Sequence, residues 1–445
     1  MDSTGRELDR ISALPDDLLH LILASVGDDD GAAAVARMAV LSRRWRHVWL
    51  QAPDLSFADA AAGEPGQFAS SVDRALAQRG HDADVRTLRI VHRHSRASPE
   101  QVNRWLRYAT ERVVKSFHLQ LTTTRYGSPD QDDEAPAAPA PAIVELPSHG
   151  RAASIRLEWL TYTRLRLPTT AAAKYEALTE LTLHAPWFVG EEEGAALGAF
   201  VPSCCPRLRK LDVARPKGLL HLVLRTEALE ELRLTGARGL ETLDVAAPNL
   251  RVLSLHECFH AAVDIRGDLR GVRRLGGVRL GMHGRHCDDR RRGLCLLENC
   301  PCAEHVDLWL DEPDPDCYRD DGGVDGREAV DFTAEGAAPF ASVRSLVVET
   351  RRFYGRHLLA TLSSLLLRFP CLRSLCISIS GGTESGDSRR GCLCDIDELD
   401  DHPNISLRYL EDVKISGFMG TEEEMGLLNL LFESSNSLKS MTVTY

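Results

Sequence analysis

The chain has 445 residues, a length that accommodates two or three domains. Hydrophobic residues make up 43% and charged residues 27%, which describes a folded globular protein and excludes wholesale disorder. With 53 basic and 65 acidic side chains the formal net charge is −12, which argues against a general nucleic-acid binder, whose affinity rests on a basic face that neutralises phosphates.

The longest apolar stretches, such as Leu358 to Phe369, are interrupted by Thr and Ser. They fall short of the roughly 18 residues a membrane span needs. Met1 to Glu7 holds no apolar core of the kind a secretory signal carries. These features point to an intracellular chain, in the nucleus and/or cytoplasm, with no membrane or nucleic-acid partner. The 12 Cys are then expected as reduced thiols rather than a disulfide framework.

The first predicted element is a helix opening at Leu14-Pro15-Asp16-Asp17. Proline suits the first helical position, where its missing N–H would be unpaired anyway, and the two aspartates complement the helix dipole. Leu18, Leu21, Ile22 and Val26 recur at helical spacing. Gly27 and Asp28 to Asp30 break it. A second helix is expected over 32–41, and a third begins near Ser42 with Trp45, Val48 and Trp49. Three short helices in about 40 residues make a marginal core that benefits from a partner.

The sequence Leu14-Pro15-Asp16-Asp17-Leu18-Leu19, then Ile22-Leu23, then Leu41-Ser42-Arg43-Arg44-Trp45-Arg46-His47-Val48-Trp49, resembles an F-box, placed at 10–52. The resemblance implies docking to a Skp-type adaptor, and through it to a cullin-RING ubiquitin ligase. Leu14, Pro15, Leu18, Ile22 and Trp45 match positions that form or support that docking surface. The connection Asp28 to Ala34 departs from the family by being longer and more acidic. Residues 53–84 read as a linker.

From residue 85 a pattern Leu-x-x-Leu-x-Leu recurs, with Val, Ile or Met allowed. It starts at Leu178, Leu208, Leu219, Leu229, Leu240 and Leu250, and later at Val343, Leu372, Leu410 and Leu438. The alternation has period two, which predicts strands with one buried face. Starts at 208, 229 and 250 define one series, and 219 and 240 fall halfway between. The pattern resembles a leucine-rich-repeat solenoid, whose repeats run about 20–29 residues. The first series is assigned to the concave strands, with Leu372 and Leu438. The second is assigned to short convex segments.

Earlier strands are expected at Val85-Leu88-Ile90 and Val114-Phe117-Leu119, framing a helix from Pro99 to Arg112. Further helices are expected from Ala195 to Ser203, Arg356 to Arg368 and Glu422 to Ser434. Segments near 126–142, 311–326 and 381–402 are acidic and rich in loop-forming residues, and read as insertions. The solenoid is thereby placed at 85–409. Residues 410–445, with Leu410 to Phe418, Glu422 to Glu424, Leu427 to Phe432 and Leu438 to Met441, resemble the FBD-type tail of plant F-box proteins. The expected fold class is α/β, an N-terminal three-helix F-box followed by a curved leucine-rich-repeat solenoid.

His256-Glu257-Cys258-Phe259-His260 fits H-E-x-x-H, the zinc-protease signature. That chemistry needs both histidines on one helical face. Here the motif directly follows Leu250-Leu253-Leu255, so His256 is expected to end a strand, and Cys258 falls on the Asn/Cys position of the repeat. A zinc hydrolase is therefore disfavoured. His283, His286, Cys287, Cys295, Cys300 and Cys302 are dense, but their spacing gives no paired C-x₂-C knuckles, and they read as buried reduced thiols with bystander histidines. Cys204-Cys205-Pro206 and Cys300-Pro301 read as the end of a convex helix. Cys392 and Cys394 read as exposed thiols. Arg290 to Arg292, Arg43-Arg44 and Glu191 to Glu193 read as solvated faces. No G-x-G-x-x-G, P-loop or G-x-S-x-G occurs, so no cofactor and no catalytic or metal residues are expected.

The resemblance implies a non-enzymatic substrate receptor of an SCF-type ubiquitin ligase. The alternative is an interaction scaffold with a degenerate F-box. Substrate contacts are expected from Arg209, Lys210, Asp212, Glu231, Arg233, Arg251, Ser254 and His256, since the Leu positions of the strands are buried. Few of them should carry most of the binding energy.

Overall fold

The computed structural model describes residues 14–20, 48, 51–59, 66–79, 84–92, 97–121, 142–159, 163–168, 174–188, 191–258, 264–281, 287–311, 338–353, 358–381 and 405–445. The chain divides into two compact units, Met1–Leu229 and Glu230–Tyr445.

The first unit carries strands β1 (Asp54–Ala58), β2 (Val85–His92), β3 (Val113–Leu121), β4 (Ala142–Glu145), β5 (Ser154–Trp159), β6 (Thr163–Arg166), β7 (Glu180–His184), β8 (Lys210–Ala214) and β9 (His221–Arg225). Its helices are α1 (Gln67–Gln78), α2 (Pro99–Arg112) and α3 (Glu191–Cys204). Its main sheet runs β1-β2-β3-β5-β7-β8, and every neighbour is parallel. β4 and β6 form a separate parallel pair.

The second unit carries β10 (Glu231–Thr235), β11 (Thr242–Ala246), β12 (Val252–His256), β13 (Asp264–Gly267), β14 (Arg274–Gly281), β15 (His305–Asp311), β16 (Ser345–Phe353), β17 (Ser374–Gly381), β18 (Asp412–Ser416) and β19 (Ser440–Thr444). Its helices are α4 (Cys287–Asn299), α5 (Leu358–Leu367) and α6 (Glu422–Ser434). Its main sheet runs β10-β12-β14-β15-β16-β17-β18-β19, again all parallel. β11 pairs with β13 on a separate, smaller sheet.

The repeat arises from one local device used many times. A tight turn precedes many main-sheet strands, with the N–H three residues on donating back: Leu178 to Tyr175 O, Leu208 to Cys205 O, Leu250 to Ala247 O, Val272 to Leu269 O and Leu410 to Leu407 O. Leu250 and Ala247, like Leu208 and Cys205, are buried, so the turn itself is part of the core. The next two N–H groups then share one carbonyl of the preceding repeat. Arg209 and Lys210 both donate to Thr179 O, and Arg251 and Val252 both donate to Glu230 O. This fixes the register of each repeat before its strand begins.

Within a strand the period of two does the rest. In β8 Leu211 and Val213 are fully buried, and in β12 Leu253 and Leu255 are too, while the residues between them face outward. Parallel pairing requires a crossover on the far side. Helices supply several of these crossovers. α2 opens with a capping box, Ser98 with Gln101, and carries Pro99 at its start. It is tied to α1 through Trp105 Nε1, which donates to Asp73 Oδ1 at 2.8 Å. α6 opens with a second capping box, Thr421 with Glu424.

Several expectations are met residue for residue. α2 and α6 have the expected bounds, and strands follow the starts at 178, 208, 229, 250, 372, 410 and 438 on the main sheets. β11, from the start at 240, lies on the smaller sheet, as the half-period series implied. The stretch 53–84 needs correction. It is not a linker, because β1 pairs in parallel with β2 from Asp54↔Thr87 to Ala58↔Val91, and α1 buries Ala69, Val72 and Leu76. Parallel pairing there begins some 30 residues before the first Leu-x-x-Leu-x-Leu match, because Asp54-Leu55-Ser56-Phe57 shows only the alternation. α3 also starts earlier than expected, at Glu191. The three predicted insertions fall almost wholly outside the described residues, as do residues 32–41.

Candidate functional site

Two surfaces carry the residues singled out by the sequence. At the N-terminal surface residues 16–20 are helical. Pro15 O accepts from the N–H groups of Leu18 and Leu19, each at 3.1 Å, so the helix starts at the proline. Leu19 turns inward and is fully buried, whereas Pro15 is exposed and Leu18 is 44% exposed. Leu14 is half-buried. His20 Nε2 donates to Val48 O at 3.0 Å, which ties this turn to the segment around Val48. Ile22 and Trp45 lie outside the described residues.

The second surface is the outward face of the strands. In the first unit the register aligns Arg89, His118 and Arg156 in one row, and Gln120, Glu158 and His184 in the next. Arg156 donates to Glu158, and His118 Nε2 lies 3.7 Å from the same carboxylate. Burial pushes the His118 imidazole below its ordinary range, with Arg156 and Arg89 adding to the effect against Glu158. Lys210 and Asp212 face outward on β8, but Arg209 precedes the strand and spends its N–H on Thr179.

In the second unit Glu231 and Arg233 face outward on β10 and pair with each other. Ser254 and His256 face outward on β12, while Arg251 precedes the strand. His256 ends β12, as the sequence implied, and Glu257 follows in a turn with φ of 54°. The H-E-x-x-H segment therefore does not begin as a helix. His260 lies outside the described residues. Cys258 is buried, and its thiol donates to Leu234 O at 3.3 Å, bridging to the neighbouring repeat. Burial pushes that thiol up to about 12. Its role is structural, as its repeat position implied.

β14 departs from the regular pattern. Its pairing with β15 shifts register between Leu275 and Val278, so Gly276-Gly277 form a bulge. Gly277 has φ of 73°, and a Cβ there would sit 2.6 Å from the His256 backbone nitrogen. Only glycine fits such a position without strain. Above Gly276, Ser254 Oγ, Asp307 Oδ2 and His256 Nε2 lie 3.3, 3.4 and 3.5 Å from the point a Cβ would occupy. Side chains from strands on both sides of β14 thus converge over the missing one. The His256 and Trp309 rings meet at a tilt of 51°, with 5.6 Å between centroids. Trp309 and Asp307 share the outward face of β15, and Glu349 stands directly across from Trp309 on β16.

Burial pushes the Asp307 carboxyl above its ordinary range, against the pull of His256, Arg274 and His305. Ser, His and Asp in one cluster invite comparison with a nucleophile relay, which needs the carboxylate hydrogen-bonded to the imidazole. Among the described residues no ion pair or hydrogen bond joins Asp307 to His256, so the link that such a relay requires is not made here.

Asp307 and Trp309 were missed because the strand that carries them opens on Ala303-x-x-Val306-x-Leu308, with Ala where the pattern demanded a larger residue, whereas Glu349 lies on a strand that the start at Val343 did mark but whose outward positions were not singled out. The Gly276-Gly277 insertion hid β14 in the same way.

The described members of the Cys-rich segment do not behave alike. Cys300 is buried, but Cys295 is exposed and Cys302 is half-buried, which corrects the uniform reading as buried thiols. Cys295 lies on an outer turn of α4, whereas Cys300 follows that helix and faces the core. His283, His286, Cys392, Cys394 and Arg43-Arg44 lie outside the described residues, and nothing is described of the side chains of Cys287, Arg290 to Arg292 or Glu191 to Glu193. Among the described residues no three His, Cys, Asp or Glu side chains are gathered as a metal site would require, and no helix is long and apolar enough to cross a membrane.

Comparison with known proteins bears on both surfaces. The F-box domain model matches residues 11–54, a leucine-rich-repeat model described as At1g61320/AtMIF1, LRR domain, matches 77–275, and the FBD model matches 403–443. An Arabidopsis thaliana protein named for an F-box, an FBD and LRR repeats (At4g03220) is 24% identical over 477 residues, covering 98% of this chain and 89% of that protein. Two further Arabidopsis thaliana relatives match locally. F-box/LRR-repeat protein 25 is 50% identical over 52 residues, 12% of this chain and 19% of its own length. One named for an FBD-associated F-box (At5g56440) is 30% identical over 114 residues, 25% of each chain.

Proposed function

Because this chain belongs to the plant F-box/leucine-rich-repeat proteins with a C-terminal FBD region, we propose that it is the substrate-recognition subunit of an SCF-type ubiquitin ligase. The N-terminal helix docks a Skp-type adaptor, which in turn joins a cullin. The outward strand face holds a protein substrate. The chain itself makes and breaks no bonds. It raises the effective concentration of substrate near a ubiquitin-loaded enzyme supplied by the complex. Its setting is the nucleus or cytoplasm, where such adaptors act.

The observation that carries the reading is the first turn of the F-box. Leu19 is buried while Pro15 and Leu18, one turn apart at the start of the same helix, stay exposed. A marginal helical unit that leaves large apolar groups in water has a reason to be docked. Leu14, Pro15 and Leu18, with Ile22 and Trp45, form the proposed adaptor surface. On the strand face Arg209, Asp212, Arg233, Arg251, Ser254 and His256 remain the proposed substrate contacts.

The test is a pull-down of the full chain with a purified Skp-type adaptor, comparing wild type with a Leu14→Ala, Pro15→Ala double variant and with Leu18→Ala. Wild type is expected to bind. Each variant is expected to lose at least about 2 kcal/mol, the scale of an interface hot spot. A wild-type chain that is folded and fails to bind the adaptor sinks the reading and leaves an interaction scaffold with a degenerate F-box.

A further inference from the structure

We propose that the row formed by Ser56, Arg89 and His118 across β1, β2 and β3 is an anchor for a carboxylate, the side chain of an aspartate or glutamate, of the bound protein substrate. This rests on the receptor reading and names the chemistry that the strand face of the first unit selects.

The three residues stand in register on adjacent strands, Ser56 opposite Arg89 and Arg89 opposite His118. Each lies between two buried neighbours, Leu55 and Phe57, Leu88 and Ile90, Phe117 and Leu119, so all three side chains share the outward face. All three residues are half-buried. Ser56 Oγ and His118 Nε2 are themselves shut off from water and have no hydrogen-bond partner. Buried polar atoms in native folds are rarely left in that state, and each such atom calls for a group that satisfies it. Arg89 stands between the two, and among the described residues it makes no ion pair and no side-chain hydrogen bond. A guanidinium without a counter-charge, flanked on both sides by unsatisfied side-chain atoms in one row, is a site laid out for an anion.

The carboxylates nearby are committed elsewhere. Asp54 accepts from Arg86 Nε at 2.9 Å and from Thr87 Oγ1 at 2.8 Å. Glu158 accepts from Arg156, and it comes no nearer to His118 Nε2 than 3.7 Å, beyond hydrogen-bond reach. With Asp54 and Arg86 cancelling, Arg89 and Arg156 outweigh Glu158, so this part of the face is positive although the chain totals −12. The shape of the row favours a carboxylate. Neighbouring strands are about 4.8 Å apart, so Ser56 and His118 stand about 10 Å apart with the guanidinium stem between them. The two oxygens of a carboxylate take the fork of Arg89 as a bidentate pair, and their remaining lone pairs face Ser56 Oγ on one side and His118 Nε2 on the other. A phosphoryl group would bring a second negative charge close to Glu158, with only one uncommitted guanidinium to offset it.

The experiment uses the full chain, with a Skp-type adaptor added as a separate component and a positional-scanning library of short synthetic peptides as the probe. Wild type is expected to enrich aspartate or glutamate at one fixed position, and the matching amide there should abolish binding. Arg89→Gln should weaken the selected peptide at least tenfold. Arg89→Lys, which keeps the charge and loses the fork, and Ser56→Ala should each weaken it several-fold, with thermal unfolding midpoints within a few degrees of wild type. The His118 imidazole, followed by NMR on histidine-labelled chain, should titrate higher once the peptide is bound. A carboxylate at Nε2 favours the charged ring, in the same sense as Glu158 and against burial and the charges of Arg156 and Arg89. Selection of a basic motif, selection without an acidic residue, tighter binding when phosphoserine takes the acidic position, equal binding by Arg89→Gln, an unmoved His118 titration, or no selection by wild type each overturns the proposal. Adaptor binding is scored in the same samples. Its absence with acidic selection intact would overturn the ligase reading while leaving the anchor standing.

Discussion

Asp307 sits half-buried on β15, and burial is the main influence on its carboxyl, outweighing the nearby His256, Arg274 and His305. Its folded-state pKa is therefore above the ordinary value of 3.8 that it takes in the unfolded chain. The consequence for stability follows from linkage. As pH rises through 3.8 the unfolded chain releases this proton first, so stability falls until the folded-state value is passed and then levels off. At neutral pH the ionised carboxylate is a net cost to the fold. Asp307→Asn removes that cost while keeping the shape, so the variant is expected to unfold at a higher temperature than wild type at pH 7. The gap should narrow as the pH is lowered towards 3.8. Thermal unfolding followed by circular dichroism across that range checks it. An Asp307→Asn chain that is less stable at neutral pH would instead make the carboxylate a structural group.

The bulge in β14 is the element over which side chains from β12 and β15 converge, and its two glycines have different jobs. Gly277 holds φ of 73° with Leu255 and His256 backbone atoms 2.6 Å from any added Cβ. Gly277→Ala should cost at least about 1 kcal/mol for the left-handed backbone, and more as β12 is pushed aside. Gly276 has an ordinary backbone, and a Cβ there meets only the ends of Ser254, Asp307 and His256. Gly276→Ala should therefore fold with almost wild-type stability. Denaturant unfolding of the two variants side by side tests this split, and equal losses would show that the bulge does not work as described. The same element marks where the sequence stopped being readable. The regular strands were legible because each buries two Leu or Val residues at a spacing of two, as Leu211 with Val213 or Leu253 with Leu255. Chain-order spacing of 21 residues even separated β10 and β12 from β11. β14 was hidden because an extra residue breaks the alternation, and β1 because a short strand such as Asp-Leu-Ser-Phe-Ala is set by pairing with β2 rather than by its own pattern. Of the candidate contacts, Ser254 and His256 were legible as outward positions on a recognisable strand. Ser56, Arg89 and His118 form a row only through the register of separate strands, which no local spacing encodes.

At the scale of the whole molecule, the proposed function needs two binding events that are independent in chemistry and coupled in outcome. The proposed adaptor surface is apolar and lies in the first turn of the F-box, whereas the proposed anchor is a guanidinium between Ser56 and His118 on β1, β2 and β3. Damage to either should stop ubiquitin transfer, but mass action separates the two failures. The measurement is transfer to a reporter that carries the selected acidic peptide and a lysine, in a complex reconstituted with adaptor, cullin and RING subunits. The Leu14→Ala, Pro15→Ala chain should hold the reporter with wild-type affinity and transfer nothing at any reporter concentration, because the bound reporter is never brought to the enzyme. The Arg89→Gln chain should assemble normally and transfer slowly at low reporter concentration. Its rate should return to that of wild type when the reporter is raised about tenfold, since only occupancy has been lost. Salt should act on the second failure and not the first. Charge attraction at a half-buried anchor is still weakened by salt, which screens over about 8 Å at physiological ionic strength, whereas apolar docking is not. An Arg89→Gln chain whose transfer is not rescued by concentration would mean that Arg89 positions the substrate rather than captures it, and the anchor would have to be redrawn around Ser56 and His118.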